Sequence, residues 1–160
     1  MRLMASIFGQ IVKMRAKSVG ENLHVNHFSI VSMNTKLGNN VNFNGIRISG
    51  VGAVSIGDNF HSGRDCIMIS QNHNYDQGSA IPYDDTYIAK DIVIEDNVWI
   101  GDRVIVLGGA RIEEGAIIQA GSVVVGTIPK YSIAGGHPAV VFKTRNVEHY
   151  LELKKKGQFM

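Results

Sequence analysis

The sequence predicts an all-β fold, a parallel β-helix wound from six-residue repeats. Three observations carry this. Aliphatic residues recur every six positions at Ile94, Ile100, Val106, Ile112, Ile118 and Val124. Four residues after each stands a second small or apolar residue: Val98, Val104, Ala110, Ala116, Ser122 and Ile128. Turn formers fill the intervals, at Asp96-Asn97, Gly101-Asp102, Gly108-Gly109, Gly115 and Gly121.

A period of six excludes the two simple alternatives. An amphipathic helix needs apolar residues about 3.6 apart, and a lone strand needs alternation. Six residues make one short strand plus a corner. Three such units close a triangular coil, and coil stacks on coil. Residues 18 apart then lie over one another, Ile94 over Ile112 and Val98 over Ala116. Small residues suit the second inward position, where the prism narrows. Asn, Asp and Gly suit the corners because they tolerate turn dihedrals.

The N-terminal half keeps the pattern at Val19, Val25, Val31 and Leu37, with Leu23, Ser29, Thr35 and Val41 four residues on. The register slips around Gly45–Val54 and resumes at Ile56-Gly57-Asp58-Asn59. It stops after His73 and returns only at Ile92–Ile94. The stretch 74–91 therefore reads as an extruded, structureless loop, and such loops in compact domains are commonly functional.

Both ends read as helical. Leu3, Met4, Ile7, Phe8, Ile11 and Met14 follow helical spacing, and Arg2, Lys13, Arg15 and Lys17 make that segment basic. A membrane-surface helix is one reading. A cap on the open end of the solenoid is the reading we favour, because solenoids need polar-faced ends. Val147, Tyr150 and Leu151 suit a second short helix, with Lys154–Lys156 near its C-terminus, where positive charge is favourable. The organisation expected is an N-terminal helix over residues 1–18, a β-helix over 19–142 with its loop, and a helical tail over 143–160.

Composition narrows the function. The net charge of +2 is too small for a nucleic-acid-binding surface. Cys66 is the single cysteine, so no intrachain disulfide forms; it reads as a small buried hydrophobe in a reducing, cytoplasmic setting. Apolar runs all fall short of the roughly 20 residues that span a bilayer. The N-terminus reads as mature sequence rather than a signal peptide.

His73 stands where the repeat ends, in Ser70-Gln71-Asn72-His73-Asn74-Tyr75-Asp76. Its place at a coil corner points it outward. An imidazole there can exchange protons near neutral pH; a plain surface histidine is the other reading. His24, His27 and His61 fall at repeat corners, and His149 lies on the final helix. His61 and His73 are 12 apart and belong on different faces, so no metal site is expected.

Val98-Trp99-Ile100-Gly101, then Ile118-Gln119-Ala120-Gly121-Ser122-Val123-Val124, then Ala134-Gly135-Gly136-His137-Pro138-Ala139 resemble the hexapeptide-repeat acyltransferases. The nearest branch holds the galactoside and maltose O-acetyltransferases and the xenobiotic acetyltransferases. The match runs over roughly residues 19–145. The resemblance implies a left-handed β-helix, a homotrimer with sites between subunits, and acetyl-CoA as donor. It puts the family's catalytic histidine on His73 and the tryptophan that walls the site on Trp99. It implies coenzyme contacts at Gly101, Asp102, Ala120, Gly121 and Lys143, and acceptor contacts at Asn42 and Asn72.

Departures from the family are local. Ser49-Gly50-Val51-Gly52-Ala53 stands where the galactoside enzymes carry acidic residues, so acceptor recognition differs. Val125, Gly126 and Val140 replace polar or basic residues, which shifts the expected phosphate contacts to Lys143, Arg145 or Lys130. The implied reaction is acetyl transfer to a hydroxyl of a sugar-like acceptor, such as a surface saccharide or its precursor, with His73 as general base. An amino-sugar or antibiotic acceptor is the alternative. A non-catalytic scaffold and a γ-type carbonic anhydrase share the fold, but the spaced metal histidines of the latter are missing.

Overall fold

The computed structural model describes residues 2–160. The chain winds about six coils of a left-handed triangular solenoid, with a helix at each end. Every inward aliphatic position from Ile94 to Val124 is between 0% and 2% exposed, as are Val98, Val104, Ala110, Ala116 and Ser122. Burying one such aliphatic side chain stabilises the fold by about 1.5–3 kcal/mol. The core is therefore a stack of aliphatic rungs along the solenoid axis.

Three walls surround it. Wall A holds Ser18–Val19, Thr35–Leu37, Val54–Ile56, Ile92–Ile94, Arg111–Ile112 and Thr127–Ile128 in parallel. Wall B runs from His24–His27 through the first part of Asn42–Ser49 and of His61–Ile69 to Trp99–Ile100, Ile117–Ile118 and Ser132–Gly135. The second parts of those two long strands bend into wall C, followed by Ile105–Leu107 and Val123–Val124. The expected stacking holds, with Ile94 over Ile112 and Trp99 over Ile117.

The corners explain the turn residues. At the A–B corner Asn22, Asn40, Asn59, Asn97, Gly115 and Tyr131 all have φ between 54° and 69°. L-residues avoid this left-handed region, and Asn and Gly are the types that enter it most cheaply. The asparagines also bond to one another: Asn40 Nδ2 donates to Asn59 Oδ1 at 3.0 Å, and Asn59 Nδ2 to Asn97 Oδ1 at 2.9 Å. The buried hydroxyls at narrow positions are likewise satisfied: Ser122 Oγ donates to Gln119 O at 2.6 Å and Ser70 Oγ to Gly52 O at 3.0 Å.

The slip near Gly45–Val54 is real. Spacing between paired residues is 18 at Val19 and Leu37, 19 at Leu37 and Ile56, and 20 at Ile48 and Met68. The next coil pairs Val54 with Ile92, a spacing of 38, so it holds 38 − 18 = 20 additional residues.

Helix α1 (Arg2–Arg15) covers the N-terminal opening. Its Val12 is fully buried, Phe8 packs on the core, and Phe8 meets Phe28 edge-on at 5.9 Å. Arg15 Nε donates to Val31 O at 2.9 Å. The helix thus packs on the first coil; the Leu3 side chain lies outside the described residues. At the other end, Val140–Thr144 turns back antiparallel on Ser132–Gly135, a strand the six-residue pattern does not announce. Helix α2 (Val147–Lys155) follows, N-capped by Asn146, whose Oδ1 accepts from His149 N at 3.0 Å. Gly157, at φ 64°, ends it: its N–H reaches Lys154 O and that of Gln158 reaches Leu153 O, which turns the chain back on the solenoid.

Candidate active site

The excursion is not structureless. Gln71–His73 and Tyr87–Ala89 zip into an antiparallel ladder at its root, with His73 opposite Tyr87. Beyond the ladder, polar side chains replace missing backbone partners. Asp84 accepts from Ser79 N at 2.8 Å and Thr86 N at 2.9 Å, and also from both hydroxyls. Those bonds, the Thr86 hydroxyl first, pull its carboxyl down to about 2. Asn74 accepts from Gln77 N at 3.1 Å and donates to Thr86 Oγ1 at 3.1 Å. Local side-chain bonds of this kind leave no hydrophobic period to read.

His73 therefore sits on a strand rather than at an open corner, and it is half-buried. Its ring stacks on Tyr83 at 3.7 Å between centroids and 21° between planes, and tilts against Tyr87 at 4.7 Å. Nδ1 is buried and has no hydrogen-bond partner among the described residues. The ring is thus gripped by its faces while a nitrogen stays uncommitted. Buried polar atoms are nearly always paired, so an exception marks a position of possible chemistry. The tyrosine clamp escaped the sequence reading, although three of the five tyrosines, Tyr75, Tyr83 and Tyr87, fall in the excursion.

Trp99 belongs to a different part of the prism. Wall B sets His24, Asn42, His61, Trp99, Ile117 and Ile133 in one register column. Trp99 is 53% exposed. The strand places His61 within the wall, not at a corner as its repeat position implied; His24 and His27 lie on a strand too. Burial lowers the His61 pKa, so the imidazole favours its neutral form. Its Nε2 lies 3.3 Å from Asn44 Nδ2. Asn42 Oδ1 accepts from Asn26 Nδ2 at 3.1 Å, so a run of amides continues the column downward. Beside Trp99 and His61 opens a cavity of ≈ 530 Å³, roofed by Tyr150 and Leu153 of α2 and by Phe159 and Met160. Asn40 Nδ2 holds Met160 O at 2.8 Å.

The residues proposed for the coenzyme divide. Gly101, Asp102, Ala120 and Gly121 stack at the B–C corner. A Cβ on Gly101 would lie 2.6 Å from Ala120 N, so only glycine lets these coils close. Asp102 Oδ1 accepts from Arg64 N at 2.8 Å and its carbonyl from Gly121 N at 2.7 Å. Ala120, Gly121 and Lys143 are exposed, and Lys143 pairs with Ile133 above the Trp99 column. Arg145 lies across wall B at the A–B corner. Its Nη1 donates to Gly115 O at 3.0 Å and its guanidinium covers the Tyr150 ring at 4.5 Å. Asn72 is exposed on the excursion, opposite Ile88.

One chain thus assembles Asn42, His61, Trp99, Lys143 and the Gly101–Gly121 corner along wall B. It puts His73 and Asn72 at the C–A corner, the edge of the prism opposite wall B. Among the described residues, no three His, Cys, Asp or Glu side chains gather to hold a metal ion.

Residues 91–126 match the family model described as bacterial transferase hexapeptide (six repeats). Over this segment the chain carries the repeat of the hexapeptide transferases. The hexapeptide-repeat chain is 33% identical over 106 residues to a chloramphenicol acetyltransferase from Klebsiella aerogenes, covering 58% of this chain and 50% of that protein. It is 46% identical over 57 residues to a galactoside O-acetyltransferase from Lactococcus lactis, covering 36% and 28%. Among solved structures it superposes on a galactoside acetyltransferase in complex with coenzyme A, with TM-score 0.74, 29% identity, and 87% and 70% of the two chains covered. A hexapeptide-repeat acetyltransferase from Vibrio cholerae bound to acetyl-CoA gives TM-score 0.71 at 25% identity, covering 82% and 73%. The chain spans half or less of the length of the curated relatives it matches here.

Proposed function

We propose that this protein transfers the acetyl group of acetyl-CoA to a hydroxyl of a saccharide-like acceptor, with His73 as general base. The observation that carries this is the His73 imidazole, clamped between Tyr83 and Tyr87 with Nδ1 unpaired. The coenzyme complexes of the two similar structures support the donor. A free hydroxyl is too weakly acidic to attack a thioester at neutral pH, so a positioned base is required. The imidazole takes the hydroxyl proton as oxygen bonds to the acetyl carbonyl carbon. The tetrahedral oxyanion needs fixed donors, which corner N–H groups of the solenoid supply. Collapse breaks the carbon–sulfur bond, and the imidazolium returns the proton to the leaving thiolate. The products are an acetyl ester and free coenzyme A thiol.

The solenoid contributes orientation. Asn42, Asn72 and Trp99 face the acceptor in this reading. The B–C corner, with Gly101, Asp102, Ala120, Gly121 and Lys143, holds the donor largely through backbone; Arg145, tied to Gly115 and Tyr150, steadies α2 at the A–B corner across wall B. Since His73 and Trp99 occupy opposite sides of one prism, a site holding both draws them from neighbouring copies, which supports the homotrimer.

The test is thiol release from acetyl-CoA against a panel of sugars, amino sugars and chloramphenicol. His73→Ala should lower turnover by about 10²–10⁴. Near-full activity in that variant overturns the role of His73. Thiol release with no acceptor dependence overturns the transferase reading.

A further inference from the structure

Helix α1 carries two apolar stripes, and the solenoid uses one. Phe8 and Val12 face the first coil. Met4, Ile7, Ile11 and Met14 recur at 3-4-3 spacing, which sets them on a single other face. Met4 is 53% exposed, Ile7 47% and Met14 84%. Phe28 and Met33 of the first coil, 57% and 75% exposed, extend this apolar end of the molecule.

The charge around the stripe is of one sign. Lys13, Arg15 and Lys17 are exposed around and just after the last turn of α1, and α1 contains no Asp or Glu. The first acidic residue of the chain is Glu21. A second copy packed on this face would bring the same cations and nothing to neutralise them. An anionic lipid surface offers both what the stripe and what the cations lack. We propose that the outer face of α1 docks this end of the solenoid on an anionic membrane surface. The helix lies in the plane of the headgroups while its inner face stays on the first coil, so it caps and anchors at once. Among the described residues no helix is long and apolar enough to cross a membrane. Each basic residue near an anionic surface raises affinity about fivefold, and copies related by a cyclic axis present the same end together.

The test is co-sedimentation of the full chain with phosphatidylcholine vesicles, with and without phosphatidylglycerol. Binding is expected only with phosphatidylglycerol and is lost at high salt. The pair Lys13→Glu and Lys17→Glu should weaken it by about tenfold or more. The pair Ile7→Ser and Met14→Ser should weaken it comparably, with unchanged circular dichroism and thermal midpoint because both side chains are solvent-facing. Absence of binding to phosphatidylglycerol vesicles overturns the proposal, as does undiminished binding by both variants. A smaller assembly of Ile7→Ser and Met14→Ser by light scattering, without vesicle binding by the parent chain, assigns the face to contacts between copies and also overturns it.

Discussion

Asn59 is the middle rung of the asparagine column, and replacing it isolates what the column contributes. Its backbone stands at φ 55°, its Oδ1 accepts from Asn40 and its Nδ2 donates to Asn97. In Asn59→Ala the left-handed backbone costs about 1 kcal/mol more than with Asn. Two side-chain hydrogen bonds vanish at about 1 kcal/mol each. The sum is about 3 kcal/mol, which for a chain of this size lowers the thermal midpoint by about 6–12 °C. Asn59→Gly keeps the backbone and loses only the two bonds, so it should recover about a third of the loss. Thermal melts followed by circular dichroism at 220 nm-region ellipticity read both. If the glycine variant melts no higher than the alanine variant, the left-handed corner is not a source of the cost. If neither variant melts below the parent chain, the column contributes nothing.

Two further outcomes concern the C-terminal segment. Burial raises the Glu114 pKa, but hydrogen bonds from Lys154 and Tyr150 outweigh it and leave the carboxyl below its ordinary value. A depressed carboxyl stabilises the fold above its unfolded pKa and loses that effect as pH falls through the folded one. The stability gap between the parent chain and Glu114→Gln, measured by urea titration, should thus be widest at neutral pH and close in acid; a gap independent of pH refutes the linkage. Trp99 is the sole tryptophan, and Phe159 and Met160 roof its cavity. Deleting 157–160 should increase acrylamide quenching of its fluorescence and shift emission to the red, and unchanged quenching shows that the roof does not shield it.

What the sequence made legible was whatever repeats. A six-residue period survives because each coil buries the same positions against the same neighbours, so the count alone stacks Ile94 on Ile112 and likewise for their equivalents. The break after His73 was equally plain. The organisation inside the break was not, because it rests on single bonds by Asn74, Asp84 and Thr86 and on tyrosine stacking, none of which has a period. His61 was read as a corner residue for a related reason. Asn42–Ser49 and His61–Ile69 continue around a corner as single long strands, with a register shift between Asn42 and Asn44, so a rigid count of six misplaces residues there. The bond from Arg145 to Gly115 is not legible in the sequence, because nothing local reveals a carbonyl 30 residues away.

The spacing of 38 in the third coil has a wider meaning. Ile56 pairs straight onto Ile94, and Ile69 onto Leu107, as if the additional residues were absent. The walls above and below are continuous across the seam. The excursion is therefore a cassette with its own ladder and its own clamp, tied to the scaffold at its two roots, where Val51 N donates to Gln71 Oε1 and Ala53 N to Asp91 Oδ1. The piece that bears the imidazole thus adds length without altering the stacking of the rungs on either side of the seam.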